Sequence, residues 1–285
     1  MRLTGLHADN PIAWMAACGA LRLLPGARLR WEDTTPELDY RGDILADLAA
    51  LPAERLKSPE YQFKHKLGRT MPLDAWRDLQ ALPCHWALAY GCQTESGMTA
   101  TTLKMRPGGG YDMVGDARTV LERLVGLDIR EKLMEALEGP WRYEDDDCVA
   151  WGWDAAARVD AATIGCKADS APKPGVLGAY WLGWEALPLF PTIHGKTLGW
   201  SDGLRYPTWS EWLDYPETKA LMLALDRLGT TERQALGVRT CLAHYLQTHL
   251  SSGRLGWATE VPRNGSDRKS SGGSRKRQVT GPLIV

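Results

Sequence analysis

The chain has 285 residues and 44% of them are hydrophobic, so it can bury a core as one large domain or two small ones, which excludes global disorder. Its formal charge of −1 is unevenly distributed: residues 263–278 carry six basic side chains and one acidic one, which leaves −6 on the rest. No apolar run reaches the roughly 20 residues that cross a bilayer, and the N-terminus lacks a signal-peptide layout. We therefore expect a cytoplasmic protein with no membrane partner.

The N-terminal region predicts a buried helix followed by a β-hairpin. Asn10 is a good N-cap and Pro11 suits the first helical position, and the apolar run after them reaches Leu24. Two strand-like stretches, residues 28–31 and 37–40, then flank a turn. The spacing of the apolar side chains predicts another helix over residues 42–51.

The middle of the chain alternates strand-like, loop-like and helical patterns. Residues 85–92 favour a strand, residues 104–110 a glycine-rich loop, and residues 116–137 a helix broken at Gly126. Residues 149–153 favour another strand, and the apolar stretch 177–190 fits a helix or a strand equally well. Loop composition dominates residues 191–216. Helices are predicted over residues 217–228 and 230–250.

These elements predict an α+β fold with a mixed N-terminal region of helices and short antiparallel strands, followed by C-terminal helices and a flexible basic tail. The expected division is an α+β domain for nucleic-acid or partner binding at 1–215, a helical region at 216–260, and the tail at 261–285. The six cysteines are scattered, with no zinc-ligand spacing, and we expect reduced, mostly buried thiols.

The candidate catalytic and metal-binding motifs lack the neighbouring residues that their chemistry requires. Residues 199–203 match the G-x-S-x-G pattern around Ser201, but His-Gly-Lys-Thr precedes them instead of an apolar strand, and Pro207 interrupts the segment on their C-terminal side. His244 and His249 are five residues apart, which on a helix points them in different directions. The acidic run at residues 145–147 lacks companion ligands. The sequence therefore predicts no catalytic residue, no metal and no cofactor, and hence not an enzyme.

Binding chemistry remains, in three stretches. Lys57, Lys64, Lys66 and Arg69 alternate with Tyr61, Phe63 and His65, a pattern in which cations hold phosphates and aromatic faces stack on bases. The alternative is a solvated loop whose aromatic side chains pack inward. The other two stretches are the polar loop of residues 93–110 and the tail, whose candidate nucleic-acid contacts are Gln93, Lys104, Arg106, Arg268, Lys269, Arg275, Lys276 and Arg277. Their alternatives are an ordinary hairpin connection or a subunit contact for the loop, and a solvated terminus without a partner for the tail.

Three stretches resemble one protein family. Residues 6–24, LHADNPIAWMAACGALRLL, resemble the opening helix of large-subunit-type proteins in type I-G (formerly I-U) CRISPR systems. Residues 101–118, with a glycine-rich turn, and residues 179–191, AYWLGWEALPLFP, are similar to the same family and occur in the same order. The chain departs from the family in size, because large subunits usually carry a longer C-terminal helical region.

The resemblance implies a non-catalytic subunit of the RNA-guided surveillance complex (Cascade) of antiviral defence, placed near the 5′ end of the guide. In that role the protein binds CRISPR RNA and target DNA, recognises the protospacer-adjacent motif, contacts other Cascade subunits, and stands beside a recruited helicase-nuclease. Two other classes stay open from the residues themselves. One is a serine hydrolase centred on Ser201, and the other is a structural adaptor without nucleic-acid contact.

Overall fold

The computed structural model describes residues 1–67, 73–95, 97–103, 112–144, 151–156, 175–249 and 252–261. Within these ranges, helices and small antiparallel sheets share one hydrophobic core, which confirms the predicted α+β class. The helices are α1 Pro11–Leu23, α2 Ile44–Ala49, α3 Pro52–Arg55, α4 Leu73–Gln80, α5 Cys84–Tyr90, α6 Met113–Val125, α7 Ile129–Glu138, α8 Leu177–Glu185, α9 Tyr215–Ala224 and α10 Thr230–Ala235. The strands are β1 Arg28–Glu32, β2 Thr35–Asp39, β3 Gly91–Thr94, β4 Gly97–Ala100, β5 Thr192–Ile193, β6 Lys196–Thr197, β7 Gly203–Thr208, β8 Arg239–His249, β9 Ser252–Leu255 and β10 Thr259–Glu260.

Two helices, α1 and α8, form the centre of the core. Helix α1 begins at Pro11 as predicted and is buried from there to Leu21. The ambiguous stretch after residue 176 is helical, and α8 is buried along its whole length. Gly19 allows the two helices to approach closely, because a Cβ at this position would overlap the carbonyl oxygen of Leu182. Since both helices are enclosed on several sides, neither needs a polar face.

Asn10 occupies the N-cap position of α1 but does not cap the helix through its side chain. Its amide nitrogen donates to Asp154 Oδ1 at 2.8 Å, and its side-chain oxygen accepts from the Ala155 amide at 3.1 Å. The expected cap is therefore replaced by a link between the start of α1 and residues far along the chain. Because Asn10 and Asp154 are both buried, these bonds satisfy groups that water does not reach.

The predicted hairpin and the predicted break in the central helix are both confirmed. Strands β1 and β2 pair from Arg28 opposite Asp39 to Glu32 opposite Thr35, and Asp33 takes a positive φ in the tight turn between them. Helices α6 and α7 are separated at Gly126, which ends α6. Asp128 begins α7 by accepting a hydrogen bond from the Glu131 amide.

The strand predicted over residues 85–92 is wrong, because residues 84–90 form helix α5 and the strand starts only at Gly91. Trp86 and Tyr90 lie one helical turn apart, and both are fully buried, with ring centroids 5.6 Å apart. Because a helix buries both rings on one side, these residues form a helix and not the predicted strand. The strand predicted over residues 149–153 lies partly outside the described residues, and its described part, residues 151–153, is not in a strand.

The helix predicted over residues 230–250 is also wrong beyond its first turns. Helix α10 ends at Ala235, Gly237 takes a φ of +60°, and β8 follows. Strand β8 pairs with β7, β9 and β10, so residues expected to be a loop and residues expected to be a helix form one antiparallel sheet. This sheet joins residues on both sides of residue 215. The strand conformation of β8 depends on pairing partners such as β7 that lie far away in sequence, so a local sequence pattern does not reveal it.

Four cysteines lie in the described ranges, and all four are free thiols. Cys18 and Cys92 are buried, Cys241 is half-buried and Cys84 is exposed. Burial raises the pKa of Cys18, and burial, partly offset by the charge of Arg239, raises the pKa of Cys241 to about 11. These two thiols therefore stay protonated and unreactive at neutral pH.

Candidate nucleic-acid interface

Three of the predicted phosphate contacts lie on one connected stretch, residues 57–67, which we call the lysine segment. Lys57, Lys64 and Lys66 are all exposed. Among the described residues, no carboxylate lies within ion-pair distance of any of the three. Their ammonium groups are therefore open to an external anion. The fourth predicted cation, Arg69, lies outside the described residues.

The aromatic side chains of the lysine segment do not face solvent, so the stacking interpretation of Tyr61 and Phe63 is wrong. Both are buried, with 0% and 4% exposure. Phe63 packs on Tyr90, and Tyr61 packs on Trp184, with ring centroids 5.7 and 6.2 Å apart. The alternation of the sequence thus separates two roles, with aromatic side chains turned into the core and cations left outside.

A buried ion cluster lies beneath the lysine segment and is centred on Glu185, the last residue of α8, which is fully buried. Its Oε1 accepts from Arg55 Nε at 2.9 Å and from the Tyr61 hydroxyl at 2.8 Å. Its Oε2 accepts from a second Arg55 nitrogen at 2.9 Å and from Arg22. Arg55 also pairs with buried Glu60 at 2.5 Å. The cluster therefore links α1, α3, α8 and the lysine segment.

Main-chain contacts fix the segment further. The Tyr90 hydroxyl donates to the carbonyl oxygen of Glu60 at 2.7 Å, and Arg118 Nε donates to the carbonyl oxygen of Tyr61 at 2.9 Å. His65 is held at 2.7 Å from Asp78 of α4. The backbone that carries the three lysines is thus tied to α4, α5, α6 and α8. A backbone ordered in this way has little conformational entropy of its own left to lose on binding.

The charges of the cluster are internally compensated. Burial works to lower the pKa of Arg55, but the attraction and hydrogen bond of Glu185 outweigh it and raise the pKa above the ordinary arginine value. Burial raises the pKa of Tyr61, and burial followed by the charge of Arg22 lowers the pKa of His85. All four acceptor positions of Glu185 are occupied, so it has none left for a substrate. Glu185 therefore acts as structural support.

Gln93, the predicted reader of base edges, is exposed on β3 and lies opposite Met98 of β4. The hairpin of β5 and β6 lies beside β3, since the Gly195 amide donates to Cys92 Sγ at 3.2 Å. This hairpin turns at His194 and Gly195, both with positive φ, and exposes His194 and Lys196. The structure thus exposes two further polar side chains near the β3–β4 hairpin that the sequence reasoning missed, on the side of Cys92 and not on the side of Gln93. The His-Gly pair between strand-compatible residues was the available signal.

The other predicted contacts lie outside the described residues. They are Lys104 and Arg106 of the glycine-rich loop and Arg268, Lys269, Arg275, Lys276 and Arg277 of the tail. The start of the loop is held in place, because the Thr102 amide donates to Thr197 Oγ1 at 2.8 Å, and Trp153 Nε1 donates to the carbonyl oxygen of Leu103 at 2.8 Å. Residues 101–103 are therefore anchored to the β5–β6 hairpin and to Trp153.

Ser201 lies in an exposed turn that leads into β7, where its amide donates to the carbonyl oxygen of Gly203 at 3.0 Å. A strand follows the serine, whereas a nucleophile elbow requires a helix there. Across the described ranges, no histidine hydrogen-bonds to the Ser201 hydroxyl. In the same part of the chain, no three His, Cys, Asp or Glu side chains are grouped to hold a metal ion.

No protein-family model matches the chain, and no curated protein matches its sequence. The family resemblance of the three sequence stretches therefore stays a prediction. Within the described ranges, no helix combines the length and apolar character that a bilayer crossing requires.

Proposed function

We propose that this chain is a non-catalytic subunit of a type I CRISPR surveillance complex and binds the phosphates of guide RNA or target DNA through its lysine segment. The observation that carries the proposal is the pairing of three exposed, uncompensated lysines with a backbone tied down by the Glu185 cluster. Phosphate contacts fix the register of a nucleic acid, and they gain from cations that are already in place.

The resembling stretches coincide with core helices where the structure describes them. Residues 6–24 contain α1, residues 179–191 contain most of α8, and the described end of residues 101–118 lies in α6. These helices pack on one another in the core. In its described part, the family resemblance thus concerns mostly buried residues that specify a fold, whereas the three lysines are exposed.

The proposal extends to the partners of such a complex. CRISPR RNA and target DNA would meet the lysine segment, and other Cascade subunits and a recruited helicase-nuclease would assemble around it. The β3–β4 hairpin with exposed Gln93 is the proposed reader of the protospacer-adjacent motif. An amide side chain suits this role because it can pair with both hydrogen-bonding groups of an adenine edge.

The test removes the three lysines together in the full-length chain, as Lys57→Ala, Lys64→Ala and Lys66→Ala. Binding of a labelled RNA and of a labelled duplex is measured by fluorescence anisotropy across a salt series. Each lost phosphate contact should reduce the slope of log affinity against log salt by about 0.7 to 0.9, because fewer counterions are released. The matched control removes three exposed arginines from other elements, Arg41, Arg130 and Arg227.

The control separates local contacts from overall charge, since both variants lose three positive charges. A slope that falls only in the lysine variant supports the proposal. An unchanged slope, or an equal fall in both variants, contradicts it.

Purification together with the products of neighbouring genes tests the assembly, which should contain a short RNA. A particle of protein partners without nucleic acid would indicate the structural adaptor instead.

A further inference from the structure

Two hydroxyl groups near the start of α9 have no hydrogen-bond partner among the described residues, although neither oxygen is exposed to solvent. They are Tyr215 Oη and Thr218 Oγ1. Thr218 is fully buried, and Tyr215 is half-buried with its hydroxyl on the inner side. Burial of a hydroxyl without a partner is unfavourable, because no hydrogen bond offsets its desolvation. The two groups therefore indicate a polar partner that the described side chains do not supply.

Helix geometry places these hydroxyls on one face of α9 together with a cation. Tyr215, Thr218 and Lys219 are spaced i, i+3 and i+4, so their side chains project from the same face. This is the buried face, since it also carries buried Met222, and α9 packs against α1. Lys219 is half-buried, and among the described residues no carboxylate lies within ion-pair distance of it. Its ammonium group is therefore available to an external anion.

Helices α1 and α5 add two nitrogen-containing side chains. Arg22 Nη2 of α1 lies 3.4 Å from His85 Nε2 of α5, whereas Arg22 bonds to Glu185 through Nη1. The guanidinium carbon of Arg22 lies 5.0 Å from the centroid of the Trp86 ring, which covers one of its faces. The Arg22 side chain is only 13% exposed, whereas His85 is half-buried. His85 therefore lies on the side from which solvent reaches Arg22.

Electrostatic effects connect the side chains of the three helices. Burial and then the positive charges of Arg22 and Lys219 lower the pKa of His85. The charge of Arg22 also acts on Tyr215, where it opposes the rise in pKa to about 12 that burial causes. Because charges shift a pKa only when they are near, these side chains form one cluster. Together with Thr218 we call it the α9 cluster; its members are Arg22, His85, Tyr215, Thr218 and Lys219.

The nearby carboxylates are already bonded within the protein. Glu60 and Glu185 are paired with arginines. At the start of α9, the side chains of Asp214 and Glu217 each accept a hydrogen bond from the backbone amide of the other, in bonds that are exposed to solvent. Neither of these two is among the main charges that shift the pKa of His85. The charge of Lys219 is therefore not neutralised by an ion pair within the described part of the chain.

We propose that the α9 cluster binds a phosphate group. A phosphate presents several oxygens in a tetrahedral arrangement, which suits guanidinium, ammonium and hydroxyl donors that converge from three helices. Its oxygens would accept from the two hydroxyls that bond to nothing else in the described structure. The proposal goes beyond the proposed function and does not depend on the lysine segment. The phosphate has two chemical sources, a small phosphate compound or the backbone of a nucleic acid, and the test distinguishes them.

The test measures binding of inorganic phosphate to the full-length chain by isothermal titration calorimetry. Tyr215→Phe and Thr218→Val remove one hydroxyl each with little change in shape. Each should weaken phosphate binding by about 10-fold, because a hydrogen bond to a charged group is lost. Neither should lower stability in urea unfolding, because these hydroxyls have no partner among the described residues. Lys219→Met should also weaken binding, whereas the matched control Lys196→Met, at an exposed position of β6, should not.

Oligo(dT) without a terminal phosphate identifies the source. Weaker oligo(dT) binding by both hydroxyl variants assigns the site to a nucleic-acid backbone, and unchanged binding assigns it to a small phosphate compound. Lack of saturable phosphate binding by the parent chain overturns the site, as do hydroxyl variants that bind phosphate as tightly as the parent. The salt slope of the triple lysine variant is measured separately, so either of these failures leaves the proposed function intact.

Discussion

Replacing Glu185 by glutamine should destabilise the protein strongly, although the change is isosteric. The carboxylate is fully buried and accepts four hydrogen bonds from Arg22, Arg55 and Tyr61. An amide can still accept on its oxygen, but its nitrogen then faces a guanidinium group that also donates. Arg55, with its side chain 18% exposed, keeps Glu60 as a buried partner, whereas Arg22, 13% exposed, has no other carboxylate within ion-pair distance among the described residues.

The expected loss follows from that burial. Breaking a buried ion pair by removing one partner costs about 3 to 5 kcal/mol, because an uncompensated charge stays in a poorly solvated position. A domain has about 5 to 15 kcal/mol of stability in total. Glu32→Gln is the matched control, since its partner Arg2 is 3.2 Å away and both side chains are more than half exposed. That change should cost less than about 1 kcal/mol.

Urea unfolding followed by tryptophan fluorescence measures both variants, and hydrogen exchange adds a local readout. If the cluster anchors the lysine segment, Glu185→Gln should lower amide protection across residues 57–67 more than in the β1–β2 hairpin. Equal stability losses for Glu185→Gln and Glu32→Gln would refute the argument that the cluster is a buried cross-link. Unchanged protection across residues 57–67 would refute its role in ordering the lysines.

Two further predictions concern the core and its pH dependence. Gly19→Ala should lower the free energy of unfolding by about 1 to 3 kcal/mol, because its methyl group would overlap the Leu182 carbonyl oxygen. Gly126→Ala, which has room for a Cβ and a negative φ, should leave stability unchanged or raise it by up to about 1 kcal/mol. Urea unfolding of the two variants measures the difference, and equal effects would contradict the close approach of the two helices. Burial lowers the folded-state pKa of His85, so the unfolded chain binds more protons and stability should fall as the pH decreases below about 6.5. His85→Gln should reduce that fall, and His7→Gln, at an exposed position, should not; identical pH profiles for the two variants would exclude His85 as a contributor.

Local signals in the sequence were sufficient for several elements. Pro11 and the uninterrupted apolar run predicted α1, the turn residues predicted the β1–β2 hairpin, and Gly126 predicted the break between α6 and α7. These features are encoded within about one helix or one turn of chain, where capping preference, glycine and apolar spacing act directly. The α+β class followed from them. Part of the candidate interface was also accessible, since the exposure of Lys57, Lys64 and Lys66 agrees with their polar pattern.

The remaining features required the tertiary structure, because their causes lie far apart in the chain. Residues 239–249 form β8 because strands on both sides of it supply hydrogen bonds, and they override a plausible helical pattern. Tyr61 turns inward because Glu185, 124 residues away, accepts a hydrogen bond from its hydroxyl group. Periodicity describes which side chains prefer burial, but it does not identify the partner. The sequence by itself therefore determined local elements and candidate cations, whereas long-range hydrogen bonds and buried charge pairing decided which side chains those elements expose.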